Sequence, residues 1–223
     1  MKQLVLDIGL PTEPTMANFC VGGNAALLAH LQLWLQGAVA DVPTYLWGMA
    51  GSGKSHVLRA GASELHSQGA RLGWLDASVY GEREFDASWA AVLLDDVHCY
   101  TPAQQHLAFN WLINAQTHQC PVLAAGEYAP VALPLRDDLR TRLGWGHVFG
   151  LEPLDEAAQR LVLRQSALDR GLQLGDEVLD YMLKRFSRDL GSLMELLQRM
   201  DHYALQTQRA ITIPLIKSMM DNA

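Results

Sequence analysis

The stretch Gly48-Met49-Ala50-Gly51-Ser52-Gly53-Lys54-Ser55 decides the fold class of this chain. It has the required residue at every fixed position of the pattern G-x-x-x-x-G-K-[ST], the P-loop that binds nucleotide phosphates. Its glycines let the backbone turn so that successive N–H groups point at the phosphates, and the following helix adds the positive end of its dipole. A short apolar run, residues 45–47, precedes the loop, and an amphipathic helical pattern, residues 54–68, follows it. This context argues against a chance glycine-rich turn and predicts a site for a purine nucleoside di- or triphosphate with Mg²⁺.

Two side chains of the loop have predicted chemical roles. Lys54 reaches the β- and γ-phosphates, and the hydroxyl of Ser55 ligates Mg²⁺. The predicted nucleotide-binding residues all lie in the loop or directly after it: Gly48, Gly51, Gly53, Lys54, Ser55 and His56.

Acidic side chains follow two of the predicted strands. Asp95 and Asp96 end the apolar run at residues 91–94, which is typical of a strand covered on both faces. Carboxylates at the carboxyl end of a strand lie where α/β sheets bind ligands, so we assign Asp95 to the metal and Asp96 to polarising the attacking water. An acidic turn is the alternative. Glu127 follows the run at residues 121–125 and is a candidate sensor of the γ-phosphate, or an exposed turn residue.

The order of the patterns predicts the architecture. Apolar runs at residues 45–47, 72–75, 91–94 and 121–125 alternate with helical patterns at 54–68 and 102–117, which implies a parallel sheet flanked by helices. From residue 154 onward the patterns are helical: residues 156–170 with Asp155 as N-cap and Gly171 as the stop, then about 178–186, 190–204 and a short helix from Pro214. The predicted fold class is α/β, followed by a small all-helical domain.

Composition narrows the class of partner. The formal net charge is −7 and no run of Lys or Arg occurs, so direct sequence-specific binding of DNA is not expected. The three cysteines contain no C-x-x-C pair, which fits a reducing compartment. No stretch has the length and hydropathy of a signal peptide or a membrane span, so we expect a cytoplasmic protein.

Several motifs together resemble the AAA+ module of the DnaA-related family of replication proteins. They are Trp47-Gly48 with the P-loop, Leu93-Leu94-Asp95-Asp96-Val97, Asn-Phe-Cys-Val-Gly-Gly-Asn at 18–24 and Leu-Arg-Thr-Arg-Leu-Gly-Trp-Gly at 139–146. The resemblance covers residues 17–223. It implies ADP or ATP as the nucleotide, an AAA+ domain at 16–153 and a helical lid at 154–223. Because the chain ends with the lid, we expect no DNA-binding domain, as in the family's regulatory inactivators.

The resemblance also assigns a short amino-terminal docking peptide. Residues 1–8 form the predicted tail and residues 9–15, with two prolines and a glycine, the linker. The hexapeptide at residues 3–8 resembles the family's binding peptide for the replication sliding clamp, the β subunit of the replicative polymerase; a first strand or a frayed terminus is the alternative. Its predicted partner-binding residues are glutamine and aliphatic side chains: Gln3, Leu4, Leu6 and Ile8.

Arg142 matches the family's arginine finger, which reaches into a neighbour's nucleotide site in an AAA+ assembly and stabilises charge on the transferred phosphoryl group. A cation near a helix end is the alternative. Two positions depart from the family. The lid arginine falls at Gly191, with Arg188 nearby, and the sensor position has Glu127 in place of aspartate. Both departures imply slow hydrolysis or a resting state with ADP bound.

The leading hypothesis is a replisome- and nucleoid-associated regulator that docks on the clamp and promotes hydrolysis of DnaA-bound ATP. The resemblance implies assembly with DnaA, or with further copies of this chain. One alternative is a DnaA-like or helicase-loader ATPase that acts by its own turnover. Another is a small-molecule P-loop kinase, for which the helical second half is not suited.

Overall fold

The computed structural model describes residues 14–79, 83–186 and 189–221. The chain divides into two compact units, the first formed by Pro14–Pro153 and the second beginning at Leu154. The predicted clamp-binding residues 3–8 and most of the predicted linker lie outside the described residues.

The first unit is an α/β unit. Its helices and strands follow one another as α1 (Ala25–Leu35), β1 (Thr44–Trp47), α2 (Lys54–Ser67), β2 (Leu72–Leu75), β3 (Ala91–Leu94), α3 (Pro102–Thr117), β4 (Val122–Gly126), α4 (Asp137–Trp145) and β5 (His147–Gly150).

The described strands form one five-stranded sheet in the order β2-β3-β4-β1-β5. Every pairing is parallel, with Trp47 of β1 beside Gly126 of β4 and Leu94 of β3 beside Ala124 of β4. The loops that follow β1, β3 and β4 therefore meet at one edge of the sheet. We call it the phosphate edge, because it includes the P-loop.

Both faces of the sheet are covered, as the apolar runs predict. All residues of β3 and β4 are buried. One face packs against a cluster that includes Trp111 of α3, and the other against a cluster that includes Trp34 of α1 and Leu58 of α2. Helix α3 begins where Pro102 predicts, with a capping box between Thr101 and Gln104. The predicted parallel sheet flanked by helices is confirmed.

Some elements differ from the prediction. Helix α1 and strand β5 were not predicted. Strand β5 is a four-residue edge strand, and it lacks the buried apolar run that marks the other strands. Strand β4 lies one residue later than the run at 121–125. Helix α4 ends at Trp145, so Arg142 lies in its last turn, as the alternative reading of this arginine expects.

The second unit is all-helical among the described residues. Its helices are α5 (Glu156–Asp169), α6 (Asp176–Arg185), α7 (Leu190–Thr207) and α8 (Ile213–Asp221). Asp155 caps α5 by accepting a hydrogen bond from Ala158 N, as predicted, and Asp189 caps α7 in the same way. Helix α5 ends at Asp169, one residue before the predicted end, and Gly171 follows with a φ of +72°. Within the described ranges, no helix has the length and apolar character needed to cross a membrane.

Candidate functional site

The P-loop has a backbone that depends on its glycines. Gly51 and Gly53 have φ values of +74° and +97°, in the region that side chains rarely adopt. A Cβ atom on Gly53 would also lie 3.1 Å from the ring of Phe19. The turn is closed by a hydrogen bond of 3.2 Å from Ser52 N to Met49 O. Helix α2 begins at Lys54, so its first N–H groups open toward the loop.

Lys54 is folded against its own loop. The side chain is buried, and its ammonium donates hydrogen bonds of 2.8 Å to Gly48 O and 2.9 Å to Met49 O. Among the residues that the structure describes, none forms a hydrogen bond with the buried hydroxyl of Ser52. The loop therefore combines a held cation, helix N–H groups and a hydroxyl whose hydrogen-bonding capacity is unused.

Ser55 and Asp95 are brought together from α2 and the end of β3. The Ser55 hydroxyl donates a hydrogen bond of 3.0 Å to Asp95 Oδ1, and Asp96 N donates to the same oxygen at 3.1 Å. Burial raises the pKa of the Asp95 carboxyl, and the hydrogen bond from Ser55 opposes that rise. Asp96 adopts a left-handed conformation, with φ +49° and ψ +44°, at the turn after the strand. A hydroxyl oxygen beside a carboxylate is the ligand type that Mg²⁺ prefers.

His56 lies on the other side of the first turn of α2. Its Nε2 is 3.2 Å from Thr15 O, and its ring centroid is 5.8 Å from that of Phe19. Burial lowers the pKa of His56, and a neutral imidazole with a hydrogen on Nε2 satisfies this contact. The predicted nucleotide-binding residue thus joins α2 to the segment at residues 15–19.

Glu127 follows β4 at the phosphate edge and is contacted by His98, a residue that the sequence analysis did not single out. The backbone N–H of Glu127 donates to His98 Nδ1 at 3.3 Å, and Glu127 Oε2 lies 3.4 Å from His98 Nε2. His98 belongs to a short 3-10 helix, Val97–Cys99, directly after Asp96. Histidine at this spacing has no sequence signature, because the pairing depends on two adjacent loops meeting in space.

Arg142 lies at the opposite edge of the sheet from the P-loop. It is on α4, which leads into the amino end of β5, and its Nη1 donates to Gln116 Oε1 at 3.2 Å near the end of α3. Its guanidinium carbon is 5.4 Å from the ring centroid of Phe109. A four-residue strand such as β1 is about 13 Å long. Arg142 therefore lies about one strand length from the P-loop of its own chain, at the other ends of the strands.

The remaining predicted residue positions concern the lid. Gly191 lies in the first turn of α7, where its N–H donates to Asp189 Oδ1 at 3.2 Å. Arg188, the neighbouring arginine, lies outside the described residues.

The residues at the phosphate edge fit a nucleotide with a bound divalent cation. The unpaired Ser52 hydroxyl, the helix N–H groups and Lys54 suit phosphate oxygens, and Ser55 with Asp95 suits the cation. Asp96 and Glu127 stand at the same edge, directly after β3 and β4. The structure brings these predicted side chains together. Their binding of nucleotide and Mg²⁺ stays a prediction.

Solved structures with the same fold include replication initiation proteins and a branch migration motor. The chain is similar to domain III of the Thermotoga maritima replication initiation protein DnaA, with a TM-score of 0.78, 19% identity, and 93% of this chain and 95% of that chain covered. It is similar to AMPPCP-bound DnaA from Aquifex aeolicus, with a TM-score of 0.66, 23% identity and 86% and 67% covered. It also resembles the Thermotoga maritima RuvB Holliday junction branch migration motor, with a TM-score of 0.63, 17% identity and 90% and 69% covered.

The parallel sheet, the P-loop and the helical second unit together give the chain the AAA+ fold of these solved structures. Residues 155–220 match the family of the Hda lid domain, a span that covers nearly all of the described second unit. The second unit is accordingly similar to the lid domain of Hda, and the chain as a whole shares its fold with domain III of DnaA.

Proposed function

We propose that this protein is a clamp-bound regulator that promotes hydrolysis of ATP bound to DnaA and so restrains the initiation of replication. In this proposal residues 3–8 dock on the sliding clamp, the P-loop holds ADP or ATP with Mg²⁺, and Arg142 enters the nucleotide site of a neighbouring DnaA. The single observation that carries the proposal is the position of Arg142, at the edge of the sheet opposite to its own P-loop.

The surroundings of Arg142 support a role in trans. The guanidinium is held by Gln116 and stacked on Phe109, so its direction is defined before any partner arrives. Trp145, one turn further along α4, is 65% exposed. A large exposed aromatic next to an ordered arginine is the composition expected at the centre of a protein interface. An arginine supplied to a neighbour's phosphoryl group stabilises transition-state charge by a factor of about 10³–10⁵ in other NTPases.

The protein's own nucleotide has a structural role in this proposal. The AMPPCP-bound DnaA of similar fold supports a nucleotide at the P-loop of this chain. Lys54, Ser55 and Asp95 would hold it, and Mg²⁺ would neutralise its phosphate charge. Gly191 offers no side chain to a γ-phosphate, so we expect the protein's own turnover to be weak. The catalytic contribution of this chain then comes from Arg142.

The experiment is a test of conversion of DnaA–ATP to DnaA–ADP. DnaA carrying labelled ATP is mixed with DNA-loaded sliding clamp and with this protein, and the labelled ADP formed is measured over time. The proposal predicts faster hydrolysis only when clamp and protein are both present. Equal hydrolysis rates with and without the protein would end it.

A further inference from the structure

Two arginines, one at each end of α4, lie against the same aromatic ring. Arg136 directly precedes the helix and Arg142 is in its last turn. Their guanidinium carbons are 5.3 Å and 5.4 Å from the ring centroid of Phe109 on α3. At both distances an aromatic ring attracts a cation. Phe109 is half-buried and packs against the core cluster on that face of the sheet. Its ring is therefore a defined surface that Arg142 shares with a second cation.

Arg136 is fixed by hydrogen bonds to both helices. Its Nη2 donates to Asp138 Oδ2 at 2.7 Å, and its Nη1 donates to His106 Nδ1 at 3.1 Å, since a guanidinium group can only donate. Its backbone N–H donates to Gln105 Oε1 at 2.9 Å. Gln105 and His106 are in the turn of α3 that precedes Phe109. Arg136 is thus a fixed neighbour of the ring.

Arg142 differs from the neighbouring arginines in its charge balance. Arg136 pairs with Asp138 and Arg140 pairs with Asp137, each at 2.7 Å. Within the described part of the chain, no carboxylate forms an ion pair with Arg142. Of these three arginines, Arg142 is the one whose positive charge stays available to an anionic group of a partner.

Neutral groups alone restrict the Arg142 side chain. Its Nη1 donates to Gln116 Oε1 at 3.2 Å, and Phe109 lies seven residues before Gln116, on the same face of α3. A long side chain loses conformational entropy when a partner orders it, and contacts formed beforehand remove part of that loss. An amide and an aromatic ring do this without neutralising the charge of the guanidinium.

We propose that Phe109 is a positioning residue for Arg142 and that Arg136 keeps the ring in place for this role. The inference rests on the proposed function in one respect, that Arg142 acts on the nucleotide of a neighbouring DnaA. Phe109 acts through Arg142 and not on the nucleotide itself. A group misplaced by about 1 Å can lower a rate by up to about 10²-fold. The ring therefore determines the rate within the complex and not its affinity.

The test separates rate from affinity. Hydrolysis of labelled DnaA–ATP on DNA-loaded clamp is measured over a range of concentrations of the full chain. This gives a maximal rate and a concentration for half-maximal stimulation. We expect Phe109→Leu, which stays apolar but has no ring, to lower the maximal rate by about tenfold at an unchanged half-maximal concentration. Phe109→Tyr keeps the ring and should have the wild-type maximal rate.

Phe85→Leu is the matched control for loss of an aromatic ring. Phe85 packs against the same core cluster as Phe109, but its ring contacts Trp89 and His118 instead of an arginine. We expect the wild-type maximal rate in this variant. A wild-type maximal rate in Phe109→Leu, a low one in Phe109→Tyr, or equal losses in Phe109→Leu and Phe85→Leu would overturn the role of the Phe109 ring.

The role of Arg136 is tested with a double variant. Arg136→Ala should lower the maximal rate by about two- to fivefold, because the ring loses its fixed neighbour. Combined with Phe109→Leu it should lower the rate no further than Phe109→Leu alone, since Arg136 acts through the ring. Losses that multiply in the double variant would show that Arg136 acts independently of Phe109 and would overturn its assigned role.

The outcomes separate this inference from the proposed function. Stimulation by the wild-type protein with an equal maximal rate in Phe109→Leu overturns the positioning role and leaves the proposed function standing. Absence of stimulation by the wild-type protein overturns both, because Arg142 then has no reaction on which its position could act.

Discussion

At the scale of the residue, the P-loop and the acidic pair could be predicted because their chemistry is encoded in consecutive positions. Gly53 has the positive φ that the motif requires, and Ser55 lies beside Asp95 as the assigned metal roles require. The hydrogen bonds of Lys54 to the carbonyl groups of its own loop were not predicted. His98 could not be predicted, since its contact with Glu127 joins loops 29 residues apart. Nor could the packing of Phe109 and Gln116 on Arg142, which depends on how α3 meets α4.

Lys54 provides the first prediction at this scale. A ligand at about 100 times its dissociation constant adds about 2.7 kcal/mol to the free energy of unfolding, which corresponds to an increase in Tm of about 5–10 °C. We expect ADP with Mg²⁺ to stabilise the wild-type protein in this way and Lys54→Ala to lose the shift. All six tryptophans belong to the first unit, at positions 34, 47, 74, 89, 111 and 145, so their fluorescence follows its unfolding. An equal shift in the variant would contradict the role of Lys54.

His30 predicts a dependence of stability on pH. Burial and the neighbouring His147 lower the pKa of His30 below the ordinary value of 6.5, and its Nε2 is 2.8 Å from the hydroxyl of Thr44. The unfolded chain therefore binds the proton more readily. Stability from this group is complete above pH 6.5 and is lost as the pH falls through the lowered pKa.

We expect His30→Gln to reduce the slope of unfolding free energy against pH over this window, measured by urea unfolding with tryptophan fluorescence. His56, whose pKa is also lowered, keeps a part of the slope in the variant. An identical slope in His30→Gln and wild type would show that His30 is not the group responsible.

At the scale of the element, the predicted strands and helices are those with strong patterns. Strand β3 and helix α3 have the predicted limits, because an apolar run and a Thr-Pro start with its capping box are local signals. Strand β5 has no such signal. It forms because β1 offers a free edge and the turn after α4 brings residues 147–150 beside it.

Gly146 makes that turn possible and gives a second test of the fold. A Cβ atom there would collide with the carbonyl oxygen of Pro43, the group that accepts a hydrogen bond of 3.0 Å from His147 N. We expect Gly146→Ala to lower the free energy of unfolding of the first unit by about 1–3 kcal/mol, because the backbone carbonyl cannot move aside without disturbing β1.

Gly61→Ala is the matched control for this substitution. Its added Cβ would meet Trp34 at 3.6 Å, an ordinary contact, and the position is within helix α2. We expect this variant to be unchanged or stabilised by up to about 1 kcal/mol, since alanine favours the helix. Urea unfolding measures both variants, and equal losses of stability would contradict the steric argument.

At the scale of the whole molecule, the two units have separate tasks in the proposal. The first presents the phosphate edge on one side and Arg142 on the other, and the second matches the Hda lid domain. The AAA+ fold follows from the sequence because strands and helices alternate and then give way to helices alone. The partners rest on the resemblance, because an interface with another protein leaves no pattern comparable with the P-loop.

The amino-terminal peptide is tested by its binding to the clamp. We expect Gln3→Ala to lose detectable clamp binding and Leu6→Ala to weaken it by about tenfold or more, since a buried leucine contributes about 1.5–3 kcal/mol. Lys2→Ala lies outside the hexapeptide and is the control. Binding is measured by surface plasmon resonance with immobilised clamp. Wild-type affinity in Leu6→Ala would remove the docking role from residues 3–8.

The proposed function depends most on Arg142, and one comparison of variants tests the role of this arginine directly. Conversion of labelled DnaA–ATP to DnaA–ADP on DNA-loaded clamp is measured with wild type, Arg142→Ala and Arg140→Ala. Arg140 is the neighbouring arginine of α4, where it pairs with Asp137 at 2.7 Å. Its replacement by alanine removes one positive charge, as Arg142→Ala does, and so controls for the change in charge.

We expect Arg140→Ala to stimulate the hydrolysis of DnaA-bound ATP as wild type does. With Arg142→Ala we expect the rate of hydrolysis of DnaA-bound ATP to fall by about 10³, or to the rate of DnaA alone. Clamp binding and stabilisation by nucleotide should be unchanged in this variant. Stimulation by Arg142→Ala at the wild-type rate would contradict the proposed role of this arginine.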